Sequence, residues 1–398
     1  MILDIFTKEE SELERKLIHI RRNLHEEPEL SNEEVKTTQK IRLWLEEAGI
    51  AILDLPLKTG IIGEISGDST GPVIAIRADI DALPINEQAD IPFSSKVPGV
   101  MHACGHDFHT TVILGTAYLL KKRQADLKGT VRILFQPAEE TGHGAKSILA
   151  TKGLEKVQAI FGLHNDPLKE LGVLAAKEGV LTAGVDRFEI EVTGKGAHAA
   201  RPEEGIDPII IASEIISRLQ TIVSREIKSS ESVVISVTQI HGGNTWNVIP
   251  ESVYLEGTVR TFKEEIREAI PQKIERVLKG ISQSYGGKAL LKWHPGPPSV
   301  QNDKEWTLFA KQIAEQNGYK VVDAEPTSGG EDFAFYQQKI RGAFVNIGVA
   351  GEYGLHHPKY HLNEEAILPA SHFFADLAQQ ALKELNGQFL SSAYIPQI

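Results

Sequence analysis

Residues 129–164 read GTVRILFQPAEETGHGAKSILATKGLEKVQAIFGLH. An apolar, β-branched run (TVRILF) ends in a proline-led acidic turn. A short helical stretch over 144–152 follows, and a second apolar run (AIFGLH) closes the segment. Strand, helix and strand in so few residues predict a βαβ unit, and hence a sheet with helices packed on its faces. The same alternation extends towards the N-terminus. IIGEI at 61–65 and VIAIRADI at 73–80 read as strands, and 109–123 as a helix. Residues 8–49 read as two helices. Leu13, Leu17, Ile20 and Leu24 form an apolar stripe at helical spacing. Pro28 interrupts it, and a second helix restarts with Ser31 as N-cap and Gly49 as its stop. Towards the C-terminus come a helix at 303–317, the strand GAFVNIG at 342–348 and a closing helix at 367–385.

The middle of the chain has another style. RFEIEVTG at 187–194 alternates apolar and polar residues, as a half-exposed antiparallel strand does. A helix at about 207–224, the strands SVVISVTQIHGG and SVYLEGTVRTF, a helix at 263–283 and the strand KALLKWH follow. That order, β-α-β-β-α-β, is the split pattern of a ferredoxin-like module of about 110 residues. The expected fold class is therefore α/β. A mixed-sheet α/β domain (residues 1–183 and 297–398) is interrupted by an inserted ferredoxin-like α+β domain (184–296). Such insertions are tolerated where chain ends lie close together at a surface.

Composition narrows the function classes. The 398 residues carry 42 Lys+Arg against 54 Asp+Glu, a formal charge of −12, which argues against a nucleic-acid partner. One cysteine excludes an intramolecular disulfide and fits a reducing compartment. No apolar run approaches the roughly 18–20 residues that span a bilayer. The start, MILDIFTKEESELERKLIHIRR, is acidic where a secretory signal needs a basic start and an apolar stretch. A cytoplasmic protein without membrane contact is expected.

Four clusters offer metal-ligating chemistry. MHACGHDFHT at 101–110 sets Cys104 and His106 two apart at a glycine-loosened turn, so thiolate and imidazole can face one point. FQPAEETGHGA at 135–145 puts Glu139 and Glu140 at the C-terminal end of a strand, where α/β sheets place their sites. If one carboxylate binds metal, its neighbour is free to take a proton from a metal-bound water. GLHNDP at 162–167 presents His164 at another strand end, and LHHPKYH at 355–361 adds three histidines near the last strand. Taken singly, each reads equally as a solvated pair, a small buried thiol or a structural histidine. Together, five or more N, S and O donors suit two ions roughly 3.5–4 Å apart. GKGAHAARPEEGIDP at 194–208 and GGNTWNVIPE at 242–251 present His198, Arg201 and Asn247, and SGGEDFAFY at 328–336 offers the backbone N–H groups of two glycines.

These motifs, with RADIDALPI and GTVRTF, occur in order across residues 77–366, and the chain resembles the amidohydrolase branch of the co-catalytic metallopeptidases. That branch holds N-acyl-amino-acid amidohydrolases, hippurate hydrolases, N-acetyl-diaminopimelate deacetylases and auxin-conjugate hydrolases. The resemblance implies a catalytic α/β domain with an inserted lid and dimerisation domain, a homodimer, and two divalent ions per subunit (Zn, Mn, Co or Ni). It implies Cys104, His106, Glu140, His164 and His356 as metal ligands, with Cys104 bridging. His356 matches the leading His of the family's Leu-His-x-Pro pattern, although spacing alone allows His357. Glu139 matches the general base, and Asp81 the acid that orients a ligand. His198 and Asn247 resemble lid residues that reach a neighbouring subunit's site in a dimer, to steady the oxyanion and the substrate. Asn247, Gly330 and Arg260 match substrate-binding positions. Relatives outside the branch have a His ligand where this chain has Asp79. The implied reaction is hydrolysis of N-acyl-L-amino acids. A metallo-dipeptidase or aminopeptidase-like peptidase, a Cys104–His106 cysteine hydrolase and a non-enzymatic metal-dependent binding protein are the competing readings. Trp246, Phe333 and Phe335 are candidates to line an apolar acyl pocket or simply to pack.

Overall fold

The computed structural model describes residues 8–391, and the chain forms two compact units. The first runs to Leu181 and includes Gln301–Glu325 and the chain from Asp332; the second is Thr182–Val300 with Pro326–Glu331. Residues 1–7, the first part of the stretch read against a secretory signal, and residues 392–398, the end of the expected α/β domain, lie outside the described residues.

In the first unit the chain runs through helices α1 (Lys8–Glu26) and α2 (Val35–Glu47), then strands β1 (Ala51–Ile52), β2 (Ile61–Ser66) and β3 (Val73–Asp79). Helix α3 (His106–Lys122), β4 (Thr130–Gln136), α4 (Gly144–Leu149), β5 (Val157–Asp166), β6 (Val173–Ala176) and β7 (Gly179–Val180) follow. The second unit holds β8 (Gly184–Thr193), β9 (Ala197–His198), α5 (Pro208–Glu226), β10 (Val233–Gly242), β11 (Val248–Ile249), β12 (Ser252–Thr261), α6 (Glu264–Ser284) and β13 (Lys288–Pro295). The first unit resumes with β14 (Gln301–Asn302), α7 (Lys304–Gln316), β15 (Lys320–Asp323), α8 (Ala334–Gln337), β16 (Gly342–Gly348) and α9 (Ile367–Ser391).

The first unit is a mixed α/β fold on an eight-stranded sheet, ordered β1-β2-β4-β3-β5-β16-β6-β15. Its centre is parallel: β3 pairs with β4 on one side and β5 on the other, and β5 with β16. The strands around it add antiparallel pairs, β1 with β2, β2 with β4 and β6 with β16. The chain goes from β3 to β4 and then crosses back over β3 to β5, so the strand order reverses at β3. Parallel sheets bind ligands outside the C-terminal strand ends at such a point. In the second unit the four-stranded antiparallel sheet is ordered β10-β12-β8-β13, and its core joins Phe188, Ile190 and Leu255 to Ile211, Leu219, Ile270 and Ile274 of the two helices. Among the described residues, no helix is long and apolar enough to cross a membrane.

Two boundaries differ from the sequence reading for physical reasons. Helix α2 starts at Val35, with Glu34 in the N-cap position. Ser31 does not cap it; its hydroxyl donates to Asp81 Oδ2 at 2.6 Å. Helix α3 begins at His106, earlier than expected, and His106 to Leu120 are all buried. Its polar first turn hid a helix that the amphipathic pattern cannot report, because every face is covered. Helix α3 packs against α1, α9 and β3. At this junction a Cβ on Gly115 would lie 2.4 Å from Ser371 Oγ and 2.8 Å from Leu17 Cδ1. Gly115→Leu should therefore destabilise the first unit by about 1–3 kcal/mol through overpacking, read as a lower urea midpoint.

Candidate functional site

Three loops and the last residues of β5 meet at the C-terminal ends of β3, β4, β5 and β16. Gly105, at φ +82°, reverses the chain between Cys104 and His106, and a Cβ there would come within 2.4 Å of Asn165 Nδ2 and 2.6 Å of the Tyr360 hydroxyl. Only glycine allows this turn. Cys104 Sγ lies 3.4 Å from His164 Nε2 and 3.3 Å from His356 Nε2. Glu140 Oε1 is 3.4 Å from His356 Nε2 and 3.9 Å from His106 Nε2. Ligand atoms of Cys104, His106 and His164 fall within 4.8 Å of one another, as do those of His106, Glu139 and Glu140. Six residues singled out in sequence thus converge. His357 does not join them: its ring stacks on Tyr353 with centroids 4.6 Å apart, and its Nδ1 accepts the Lys359 N–H at 3.1 Å.

Backbone carbonyls fix which nitrogens are bare. His106 Nδ1 is 2.9 Å from Asp81 O, and His164 Nδ1 is 2.7 Å from Asn165 O. A carbonyl only accepts, so each Nδ1 carries the proton and each Nε2 is left to ligate. Burial, with His109 nearby, lowers the His164 pKa to about 3, so this ring stays neutral. Burial alone would lower the His106 pKa, but Asp79 and Cys104 outweigh it and hold it well above its usual value. A field that favours a proton at Nε2 equally favours a cation there. Burial, with Glu140 nearby, pushes the Cys104 thiol well up, so it ionises only against a positive charge. The buried atoms His106 Nε2 and Glu140 Oε1 have no hydrogen-bond partner among the described residues. Unpaired acceptors facing one another are costly unless a cation lies among them. The donor set therefore fits divalent metal.

Around these donors stands a set of holders that, Asp81 apart, the sequence reading left without a role. Asp81 was expected to orient a ligand: its Oδ1 is 3.3 Å from His106 Nδ1, and its Oδ2 accepts from Ser31 and from the Glu140 N–H at 3.0 Å. Asp79, where more distant relatives place a ligand, accepts from His109 Nδ1 at 2.6 Å and Arg77 Nη1 at 2.8 Å. Burial opposes its charge, but His106, His109 and Arg77 hold its pKa well below the usual range. His109 Nε2 accepts the Asn165 N–H at 2.9 Å, so its proton is on the Asp79 side. Asn165 Nδ2 donates to Cys104 O at 2.6 Å, and Tyr360 donates to Asn165 Oδ1 at 2.6 Å. Asp332 takes Arg77 Nη2, Gln136 Nε2 and the Ala145 N–H, each at 2.9 Å, while its own N–H donates to Glu139 Oε1 at 3.3 Å. Burial lifts the Asp332 pKa to about 6 against the pull of Arg77. The only sequence signal for this network was charge inside a buried strand. Two non-glycine residues beside the donors, Ala138 (φ +55°) and His356 (φ +63°), take left-handed backbone. Such strain costs on the order of 1–3 kcal/mol and persists where surroundings over-determine it.

Of the remaining candidates, His198, Arg201, Trp246, Asn247, Arg260 and Gly330 lie in the second unit, and Phe333 and Phe335 in the first. Ala197–His198 pairs with Val248–Ile249, and the Ala199 N–H donates to Asn247 O at 3.0 Å, so His198 and Asn247 share one short ribbon. Arg260 donates to Thr258 Oγ1 at 2.6 Å, and burial lowers its pKa. Gly330 sits where a Cβ would meet Val185 Cγ2 at 2.5 Å. Trp246 is 91% exposed. Phe333 is fully buried against Phe344 and Tyr336, a packing role, and Phe335 lies beneath the Lys146 ammonium at 4.4 Å.

The model of peptidase family M20/M25/M40 matches residues 75–380. This chain belongs to that family. An N-acetylcysteine deacetylase of Bacillus subtilis is 55% identical over 93% of this chain and 98% of its own length. A second protein of that organism, an N-acetyl-L-cysteine deacetylase, is 49% identical over 95% of this chain and 93% of its own. Among solved structures, the YXEP protein of Bacillus subtilis, a dinuclear metal-binding peptidase from the M20 family, superposes with a TM-score of 0.85 at 52% identity. The match covers 94% of this chain and 99% of that one. The M20 chain is accordingly a metal-dependent amidohydrolase. Replacing His356 by Ala should remove bound metal, whereas His357→Ala should retain it. Metal content by mass spectrometry after gel filtration checks the pair.

Proposed function

We propose that this M20 enzyme hydrolyses the amide bond of N-acyl-L-amino acids, N-acetyl or similar, giving a carboxylate and a free amino acid. The observation that carries the reading is the convergence of Cys104, His106, His164, His356 and Glu140 with Glu139 at their edge. Those five residues would hold two divalent ions (Zn, Mn, Co or Ni); a site mixing thiolate, imidazole and carboxylate suits any of these metals. Bound divalent metal polarises the amide carbonyl and lowers the pKa of water towards ~7. Glu139 takes a proton from the attacking water and returns it to the leaving amine. The Asp332 N–H aims that carboxylate, and Asp81 fixes His106 while drawing in the Glu140 backbone.

The second unit acts as lid and dimerisation domain of a homodimer. Its ribbon carries His198 to a neighbouring subunit's site to hold the oxyanion, with Asn247, Arg260 and Gly330 on the substrate. A reducing cytoplasm suits a centre that keeps its only cysteine as a thiolate. The relatives at 49% and 55% identity are both named as deacetylases, which favours acyl-amino acids over dipeptides.

Chelator-stripped protein should release amino acid from one or more of N-acetylcysteine, other N-acetyl-, N-benzoyl- and indoleacetyl-amino acids only when Mn or Zn is restored. Failure on the whole panel with stoichiometric metal, beside turnover of a dipeptide, overturns the reading. Glu139→Gln should lower kcat by about 10²–10⁴-fold with metal content unchanged. Mixing Glu139→Gln with His198→Ala subunits after mild dissociation should restore turnover that neither variant has alone, because some mixed dimers then hold one intact site.

A further inference from the structure

The turn from Pro137 to Glu140 carries the proposed base and one proposed ligand, and a helix far away in sequence braces it. Ala138, with its left-handed backbone, directs its N–H at Glu34 Oε1, 2.8 Å away. On the other side, Ala138 O accepts the N–H groups of Gly144 at 3.1 Å and His143 at 3.3 Å. Glu34 stands at the start of α2 and is wholly buried. Its Oε2 meets no hydrogen-bond partner among the described residues. The Glu34 carbonyl accepts the Thr38 hydroxyl at 2.6 Å, and that hydroxyl accepts the Gly60 N–H at 2.8 Å. Gly60 backs directly onto the turn, where a Cβ would lie 2.5 Å from Pro137 Cδ. The start of α2 thus grips the turn at its alanine and, through Thr38 and Gly60, at its proline.

We propose that Glu34 is a positioning residue for hydrolysis: its carboxyl holds the Ala138 N–H and so keeps the turn in the strained form that aims Glu139. This rests on Glu139 as the base. Burial raises the Glu34 pKa, in line with a role as hydrogen-bond acceptor that a neutral amide can fill. Glutamine keeps that acceptor, alanine deletes it, and aspartate is one methylene too short to reach.

The test compares Glu34→Ala, Glu34→Asp and Glu34→Gln with the parent holoenzyme on N-acetyl-amino acids. It reads kcat, KM, metal content and amide hydrogen exchange of the 137–145 segment. Glu34→Ala and Glu34→Asp should lower kcat by about 10–100-fold, the size of loss that a misplacement near 1 Å produces. KM and metal content should hold while exchange in 137–145 quickens. Glu34→Gln should keep parent kcat and slow exchange. Parent kcat in Glu34→Ala, unchanged exchange in 137–145, or a kcat loss that only tracks lost metal or lost folded protein overturns the proposal. If Glu34→Ala does not fold, the Asp and Gln variants decide between the same outcomes. Parent turnover in Glu139→Gln overturns the base assignment and this role with it, while the exchange contrast still reports whether Glu34 holds Ala138.

Discussion

Arg77 carries a charge into the centre of the large sheet, where no part of it reaches solvent. A guanidinium there survives only if its donors are met, because the cost of stripping its water is several kcal/mol. All three of its nitrogens are committed: Nε to Gln136 Oε1, Nη1 to Asp79 and Nη2 to Asp332. Each partner passes the constraint outward. Asp79 holds His109, which takes the Asn165 N–H, and Asn165 holds the Cys104 carbonyl. Asp332 presents its N–H to Glu139. A planar fork can bind three differently placed partners at fixed angles, which a point-charge ammonium cannot. Cys104 and Glu139 are thus referenced to one buried cation rather than to flexible loops.

The strand ends add a second kind of constraint, made of backbone. Carbonyls of Asp81 and Asn165 select the tautomers of His106 and His164, with the Asp81 carboxylate also 3.3 Å from His106 Nδ1. From the helix side, Asp107 at the start of α3 is gripped by Arg21 Nε at 2.9 Å and His25 Nδ1 at 2.8 Å. Burial opposes the Asp107 charge, but Arg21 and His25 hold its pKa well below the carboxylate range. That ion cluster ties α1 to the first turn of α3, the turn that carries His106.

Much of this was legible in the sequence, and the difference between what was and was not is physical. Donor residues for metal are rare types in short motifs, and a Cys, a Gly and a His in a row restrict the chain enough to be read locally. Strand–helix alternation reports the large sheet because buried parallel strands are uninterrupted apolar runs. The holders are common residues whose meaning is purely spatial. Ser31 read as a helix cap because capping is what serine does near a helix start, yet its hydroxyl goes to Asp81, 50 residues on. Nothing local sets Glu34 and Asp332 apart from solvated acids, and only folding puts them out of water. Segment 326–331, which joins the second unit by pairing Thr327 with Thr182, left no trace in hydropathy because an isolated bridge has no periodicity.

The two strained residues show why such a division should arise. Donor motifs specify what is brought to the centre, but Ala138 and His356 adopt backbone that their own side chains disfavour, so local sequence argues against the geometry that chemistry needs. The opposing force comes from elsewhere: Glu34 on the Ala138 N–H, and Ala103 O on the His356 N–H at 2.8 Å. A turn that relaxed to its local preference would keep every ligand in the chain and lose their common focus. The precision of the site therefore resides in long-range hydrogen bonds to the backbone. On the proposed roles, substitutions at those distant acceptors should act on turnover before they act on metal binding, since several of the proposed ligands would share each ion whereas the aim of Glu139 depends on one turn.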